Sequence, residues 1–292
     1  MPETAPCNLC GDPNGVAEPL MTRLLDVPEP LQIRRCGTCS LRRLSPRLTL
    51  DELQERYASH WYYSASNAVR GAGRTQFYHA KLARLERWWP QRGKLLGVGC
   101  LEGGHLLQIA STRGWEVTGV EFSSILAGYA REQLRLDVRG ARGWDLSEFC
   151  GAGFDAIVSL MFEHLPDPTH TLRQCRAALR PNGLLFLEVP FQFGSLADLV
   201  RLAAVSRNWT TVTSRFQREV VSEFHLSYFA PPTIRRLLGK MEFDVLTLRT
   251  YLPWNPVYRG RPLGGWLHEA IYAVGALVGR GPSIEIVARA RD

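Results

Sequence analysis

Short apolar runs alternate with amphipathic stretches through the middle of the chain. Residues 94–98, 115–121 and 154–160 are apolar nearly throughout, as buried strands are, whereas residues 104–113 and 169–179 have the apolar spacing of helices. Strands that are apolar on both faces are typical of a parallel sheet covered by helices on both sides. The pattern therefore predicts a doubly wound α/β domain, whose ligands bind at the carboxyl ends of the strands.

Further segments continue this alternation along the chain. The other predicted elements are helices at residues 51–57, 75–89 and 123–134 and strands at residues 136–138 and 184–189. The sequence Pro181-Asn182-Gly183 separates the helix that ends at residue 179 from the strand that begins at residue 184. Residues 64–73 are small, polar and glycine-containing, and so we place a domain boundary near residue 72.

The composition is that of a folded globular protein, with 45% hydrophobic and 22% charged residues. A length of 292 residues leaves room for one large and one smaller domain. The longest apolar run near the C-terminus, residues 270–279, is too short to span a bilayer. The first residues have neither the charged nor the apolar region of a secretory signal, and so we expect a cytoplasmic protein.

The formal net charge of +7 is due almost entirely to arginine, since only Lys81, Lys94 and Lys240 are lysines. A basic chain can bind anionic partners such as nucleotides, RNA or acidic lipid surfaces. The densest arginine cluster lies at residues 34–47, and no RNA-binding motif accompanies it. The charge pattern therefore disfavours a nucleic-acid partner.

Four of the seven cysteines form two C-x2-C pairs near the N-terminus, namely Cys7 with Cys10 and Cys36 with Cys39. Two such pairs, 25 residues apart, have the spacing of a four-thiolate structural zinc site. A closed shell of four thiolates leaves no position for a water molecule, so the metal would stabilise the fold rather than catalyse. Two disulfides are the alternative, which the expected cytoplasmic location disfavours. The sequence thus predicts a zinc-binding module with a linker helix over residues 1–72.

A glycine-rich turn, Gly97-Val98-Gly99-Cys100-Leu101-Glu102-Gly103-Gly104, follows the first predicted strand of the α/β domain. Such a turn lets a ligand approach the backbone and its free N–H groups. A nicotinamide-cofactor fingerprint would need a glycine where Glu102 stands, which disfavours that cofactor. Glu121 ends the next predicted strand, where a carboxylate can accept both hydroxyls of a ribose that lies over the turn.

The order and spacing of several motifs over about residues 75–250 resemble those of class I S-adenosylmethionine-dependent methyltransferases. These motifs are the glycine turn at 99–103 and the segments 119–123, 154–159, 163–168, 179–184 and 187–190. The resemblance implies a Rossmann-like seven-stranded methyltransferase sheet in residues 73–292, with two late strands at 243–251 and 283–290. It also implies S-adenosylmethionine as the cofactor. The implied cofactor-binding residues are Gly97, Gly99, Cys100, Gly103, Glu121, Phe122 and Leu160.

The four-cysteine module in front of such a domain is similar to a zinc-ribbon subgroup associated with sugars, natural products and cell-surface glycans. This resemblance implies a small-molecule or sugar-containing acceptor, methylated at oxygen, because the further C-terminal domain of sugar C-methyltransferases is not found in this sequence. The family usually has an acid at position 97 and glycine at position 101, where this chain has Gly97 and Leu101. An RNA base methyltransferase and a methyltransferase-like protein without activity are the alternatives.

Three residues are candidates for the chemistry of methyl transfer. His225 is the first candidate for general base, because an imidazole titrates near neutrality and can take a proton from an attacking hydroxyl. Glu163 and His164 follow the strand at 154–160 and would orient the acceptor or assist proton transfer. The alternatives are a structural His225 and a His164 that fixes the following turn. The apolar neighbours of Glu163 argue against a carboxylate cluster for metal-dependent methylation.

Residues 191–222 are predicted as an insertion rich in apolar and aromatic residues, and residues 254–278 have a similar character. Ordinary packing, a lid over the acceptor, a dimer face and a peripheral contact with a membrane surface remain open for them. Tyr62 and Tyr63 are likewise packing residues or part of a lid. The sequence does not determine the oligomeric state.

Overall fold

The computed structural model of the chain describes residues 2–25, 27–59, 74–99, 101–207, 223–252 and 265–291. Its contacts divide the chain into two compact units. The sheet unit consists of Leu50–Glu188, Leu238–Thr247 and Ile286–Asp292. The cysteine unit consists of Met1–Thr49, Val189–Leu237 and Leu248–Glu285.

The described residues contain the following strands and α-helices. The strands are β1 (Val16–Ala17), β2 (Ile33–Arg35), β3 (Arg42–Leu44), β4 (Gly93–Val98), β5 (Trp115–Glu121), β6 (Val138–Gly140), β7 (Phe154–Ser159), β8 (Leu179–Pro190), β9 (Ser227–Tyr228), β10 (Phe243–Tyr251) and β11 (Ser283–Ala290). The helices are α1 (Pro19–Leu24), α2 (Leu50–Ser59), α3 (Thr75–Trp88), α4 (Leu101–Thr112), α5 (Ser124–Gln133), α6 (Pro168–Ala178), α7 (Leu196–Ser206), α8 (Pro231–Lys240) and α9 (Gly265–Leu277).

Seven strands form one sheet in the order β10-β11-β8-β7-β4-β5-β6. The pairs β4–β5, β4–β7, β5–β6 and β7–β8 are parallel. All six residues of β7 are buried, as expected for a strand with helices over both faces. The chain order reverses at β4, which has β5 on one side and β7 on the other, so the carboxyl end of β4 is the expected ligand site. The predicted Rossmann-like α/β fold is confirmed.

The two late strands have the predicted bounds, but β8 begins at Leu179 rather than at residue 184. Phe154 of β7 pairs with Leu179, and the next pair on β7 is Ala156 with Leu184. The pairing register therefore shifts across residues 180–183, where Asn182 has a left-handed φ of 61°. The sequence Pro181-Asn182-Gly183 predicts a break between a helix and a strand, whereas the strand already begins at Leu179. The short strand predicted at residues 136–138 also lies two residues later, at β6.

The cysteine unit contains a second sheet, with the order β1-β2-β3-β9 and antiparallel pairing throughout. Its interior is apolar, with Ile33 and Leu44 fully buried. The buried guanidinium of Arg43 donates to the carbonyl oxygens of Ala5, at 3.1 Å, and Asn14, at 3.0 Å. The strand at Ser227–Tyr228 therefore belongs to the same small sheet as the N-terminal strands.

The predicted domain boundary near residue 72 lies among residues 60–73, outside the described residues, and stays a prediction. The compact units group the chain in another way, because the N-terminal 49 residues cluster with two later segments and α2 clusters with the seven-stranded sheet. Within the described part of the chain, no helix combines the length and apolarity needed to cross a bilayer.

Candidate functional site

The four N-terminal cysteines come together within the cysteine unit. Their Sγ atoms all lie within 4.8 Å of one another, and the Cys7–Cys39 and Cys10–Cys36 pairs are each 3.4 Å apart. Zinc with Zn–S bonds of about 2.3 Å holds its four sulfurs about 3.8 Å from each other. The four sulfurs therefore fit a tetrahedral metal ion, and all four cysteines are free thiols.

The glycine turn begins where β4 ends, at the point of the sheet expected to bind a ligand. Gly99 has a left-handed φ of 84°, a conformation that favours glycine, and its N–H donates to the carbonyl oxygen of Val120 at 2.8 Å. Gly97 lies under α4, since a Cβ placed on it would be only 2.9 Å from Cδ2 of Leu107. The helix thus packs where the family usually has an acidic side chain. Gly103 lies in α4, and Cys100 lies outside the described residues.

Glu121 is the last residue of β5 and is completely buried. Its Oε1 accepts a hydrogen bond from the backbone N–H of Ser123 at 2.8 Å. Ser123 is the N-cap of α5, because its hydroxyl accepts from the N–H of Leu126. The N-terminus of α5 therefore orients the carboxylate at the carboxyl end of β5, and a role in binding ribose stays a prediction.

Three aromatic side chains lie beside the glycine turn and form what we call the aromatic cluster: Tyr57, Phe122 and Trp144. The Phe122 ring stacks on Trp144, with centroids 5.8 Å apart, and meets the edge of the Tyr57 ring at 4.9 Å. A Cβ on Gly99 would lie 3.5 Å from Trp144 and 3.4 Å from Met161. The structure thus places Phe122 against Trp144, the ring that lies next to Gly99, and its role in binding the cofactor stays a prediction.

Sequence reasoning did not identify Tyr57 or Trp144. Trp144 lies in the short 3-10 turn that comes soon after β6, near the carboxyl end of this parallel strand. That position could have indicated Trp144 as a site residue. Leu160, also predicted to contact the cofactor, directly follows β7 and is half-buried.

Glu163 and His164 form a short 3-10 turn after β7 and are both buried. The Nδ1 atom of His164 is 2.9 Å from the Tyr57 hydroxyl, and its Nε2 atom is 3.7 Å from Oε1 of Glu163. Burial raises the pKa of Glu163 to about 8, and the negative charge of Glu188 adds to this effect. Glu188 itself forms an ion pair with the buried Lys81. At neutral pH, Glu163 is therefore mainly an uncharged carboxyl group.

His225 belongs to the cysteine unit, whereas Glu163 and His164 belong to the sheet unit. The Nδ1 atom of His225 is 3.1 Å from Oε1 of Gln192. An amide oxygen can only accept a hydrogen bond, so Nδ1 is the donor here, and in the neutral imidazole the lone pair is then on Nε2. This neutral tautomer is the one that a general base needs.

The insertion predicted at residues 191–222 contains α7, but residues 208–222 lie outside the described part, with Trp209 and Phe216 among them. Tyr62 and Tyr63 and residues 253–264 also lie outside it. α7 packs against α1 and α9 within the cysteine unit. A role for these segments as a lid, a dimer face or a membrane contact stays a prediction.

Two curated relatives match part of this chain. The ubiquinone biosynthesis O-methyltransferase of Xanthomonas axonopodis pv. citri is 38% identical over 112 residues, which are 36% of this chain and 45% of that protein. The protein of the same name from Pseudomonas aeruginosa is 28% identical over 144 residues, covering 37% of this chain and 62% of that protein. The chain thus spans between 45% and 62% of the length of these relatives.

A solved structure shares the fold over nearly the whole chain. The Burkholderia thailandensis 1,6-didemethyltoxoflavin N1-methyltransferase, crystallised with 1,6-didemethyltoxoflavin and S-adenosylhomocysteine, has a TM-score of 0.54 and 15% sequence identity. The similarity covers 91% of this chain and 98% of that chain.

A family model described as a methyltransferase domain matches residues 70–248, which include the glycine turn, Glu121 and the Glu163-His164 pair. The matched segment is more than half of the 292 residues. The chain therefore belongs to the methyltransferase-domain family and has the fold of class I S-adenosylmethionine-dependent methyltransferases.

Proposed function

We propose that the chain transfers a methyl group from S-adenosylmethionine to an oxygen atom of a small-molecule acceptor. The observation that carries this proposal is the sequence identity that part of the chain shares with proteins named O-methyltransferases. The glycine turn at the carboxyl end of β4 supports it. A sugar or natural-product hydroxyl falls within the same chemical class, and the four-cysteine module favours it.

The residues at the strand ends fit the parts of this cofactor. Gly99 lets the cofactor approach the backbone of the turn, and the oriented carboxylate of Glu121 is suited to accept both ribose hydroxyls. Phe122 and Leu160 provide apolar surface beside them. When bound, the cofactor supplies an electrophilic methyl group on a sulfonium. With Gly97 under α4, the methionine end must be held by groups other than an acid at that position.

Each unit has a polar side chain whose chemistry suits an acceptor hydroxyl. Nε2 of His225 has the lone pair that accepts the proton, and Gln192 keeps the imidazole in that tautomer. A neutral Glu163 can donate a hydrogen bond, because burial keeps its carboxyl protonated near pH 7. Most of the acceleration would come from holding oxygen and methyl group in line in a dry site.

The four-cysteine cluster is suited to a structural zinc ion. Four thiolates close the coordination shell and leave no position for a substrate, so zinc would stabilise the cysteine unit without entering the reaction.

The first test is calorimetric titration of the zinc-loaded chain with S-adenosylmethionine and S-adenosylhomocysteine. We expect micromolar binding of both, and at least tenfold weaker binding after Glu121→Ala. Glu116→Ala, an exposed acid on the same strand, is the matched control and should bind as the wild type does. Phenol, catechol and sugar acceptors would then be screened for transfer of a labelled methyl group. Failure of the folded wild type to bind either compound would favour a protein without methyltransferase activity.

A further inference from the structure

Tyr57 lies in α2, upstream of residue 70, where the match to the methyltransferase domain begins. Leu53 and Tyr57 are four residues apart and both buried, as expected for the inner face of a helix. Asp51 and Glu52 in the first turn and Arg56 in the last turn favour this helix through its dipole. The helix therefore holds Tyr57 in place within the sheet unit.

The two ends of the Tyr57 side chain contact different parts of the candidate site. Its ring meets Phe122, a predicted cofactor-binding residue, at 4.9 Å. Its hydroxyl lies 2.9 Å from Nδ1 of His164, a predicted catalytic residue. Only 3% of Tyr57 is exposed, and a buried hydroxyl is costly unless it is hydrogen-bonded. A phenylalanine would pack against Phe122 equally well, so the hydroxyl is explained by its contact with His164.

We propose that Tyr57 is a positioning residue of the methyl-transfer site, which fixes both the orientation and the tautomer of the His164 imidazole. The 2.9 Å contact admits either direction of the hydrogen bond, and the proposal is that Nδ1–H donates to the Tyr57 oxygen. The lone pair of His164 is then on Nε2, the atom nearer to Glu163. An imidazole in this form can accept a proton from Glu163 or from an acceptor hydroxyl. The catalytic part of this inference depends on the proposed function.

The helix that carries Tyr57 precedes the matched domain. It clusters with the sheet unit rather than with the N-terminal cysteines, and so belongs to the same compact unit as Phe122 and His164. Phe122 and His164 lie at the carboxyl ends of β5 and β7, and Tyr57 is in contact with both.

Tyr57→Phe removes the hydroxyl and keeps the ring, and it is the variant that tests the proposal. With an acceptor found by the screen, we expect kcat to fall about tenfold, the effect of losing one hydrogen bond to a catalytic group. The Kd of S-adenosylmethionine should stay within about twofold of the wild-type value, since the contact with Phe122 remains. Tyr129→Phe is the matched control, because it removes a hydroxyl from another tyrosine of the sheet unit whose ring lies 6.0 Å from a histidine, His105.

A second readout does not require activity. Nitrogen NMR of protein labelled in its histidines, with His164 assigned by His164→Gln, reports which ring nitrogen carries the proton. We expect the Nδ1–H form of His164 in the wild type and a shift towards the Nε2–H form in Tyr57→Phe. A wild-type His164 with its proton on Nε2, or a Tyr57→Phe protein with unchanged kcat, overturns the proposal. A wild type that methylates no acceptor overturns the proposed function, and the tautomer of His164 then still decides whether Tyr57 fixes it.

Discussion

At the scale of single residues, the surroundings of Glu163 disfavour the charged form of its carboxyl group. Its carboxyl is buried beside the charged Glu188, and its pKa is raised to about 8. In the unfolded chain, a glutamate has a pKa of about 4.3. Between these two values the unfolded chain ionises Glu163 and the folded chain does not. The free energy of unfolding therefore falls as the pH rises from about 4.3 to about 8, because ionisation of Glu163 favours the unfolded chain.

Glu163→Gln is expected to remove this pH dependence, because glutamine resembles the protonated acid and does not titrate. Urea unfolding should show little difference from the wild type near pH 5. At pH 9 the variant should be more stable by about 3 to 5 kcal/mol. The exposed control Glu116→Gln should leave the curve unchanged. A stability difference that is the same at pH 5 and pH 9 would mean that Glu163 is charged in the folded chain at neutral pH.

Residues at strand ends could be predicted from the sequence, whereas Tyr57 could not. Glu121, Phe122 and Glu163 each follow an apolar strand, and parallel strands bring their carboxyl ends to one edge of the sheet. Tyr57 meets His164 across 107 residues of sequence, and the residues around Tyr57 contain no motif. Only the packing of α2 reveals that contact.

At the scale of secondary-structure elements, the Leu107 side chain of α4 occupies the space into which a side chain at Gly97 would point. The distance from a Cβ at Gly97 to Leu107 would be 2.9 Å, shorter than real contacts of this kind. Glycine at a position where the family usually has an acid is thus accompanied by a leucine side chain packed over it. The resemblance revealed the departure, and the structure reveals the neighbouring side chain.

Gly97→Ala should therefore lower the free energy of unfolding by about 1 to 3 kcal/mol, the usual cost of an overpacked core. Gly140→Ala on β6 is the matched control, since a Cβ there would have no neighbour within 4 Å. In a Leu107→Ala background, the Gly97 substitution should cost less, because the two sites share one contact. Equal costs in both backgrounds, measured by urea unfolding, would show that the contact with Leu107 is not the source of the cost.

The elements themselves were predicted to different accuracy. β10 and β11 have the predicted bounds. The resemblance required two late strands, and short apolar runs in the last part of the chain indicated where they lie. The predicted start of β8 was wrong because Pro181 and Gly183 end regular structure in most contexts, whereas here they lie within β8, where its pairing register with β7 shifts. Such a shift depends on the partner strand, which local sequence does not show.

At the scale of the whole molecule, the four cysteines are connected to a strand far away in the sequence. β3 pairs with β9, Leu44 N–H donates to the Leu226 carbonyl at 3.1 Å, and the Asn8 amide lies 3.4 Å from the Ser227 hydroxyl. These contacts all lie within the cysteine unit. The sequence predicted a separate N-terminal module and gave no sign of this pairing, because β9 has only two residues.

Removal of the proposed zinc ion by a chelator should therefore loosen residues 226–228 as well as the N-terminal residues. We expect amide hydrogen exchange of Leu44 and Tyr228 to become at least tenfold faster, while the amides of β4 and β7 keep their protection. Cys7→Ser should have the same effect in the presence of zinc. Faster exchange confined to residues 2–49 would show that β9 does not depend on the metal.

The position of β11 in the large sheet also has a consequence for how the chain folds during synthesis. β10 is at the edge of the sheet, and its neighbour in the strand order is β11, which in turn lies next to β8. The ribosome completes β10 before it makes residues 283–290, which form β11. Until then, the backbone groups of β10 lack their partner strand. Until β11 is made, the growing chain exposes strand edges at both β8 and β10 that can pair with other chains. This interval is the stage of synthesis at which aggregation is most expected.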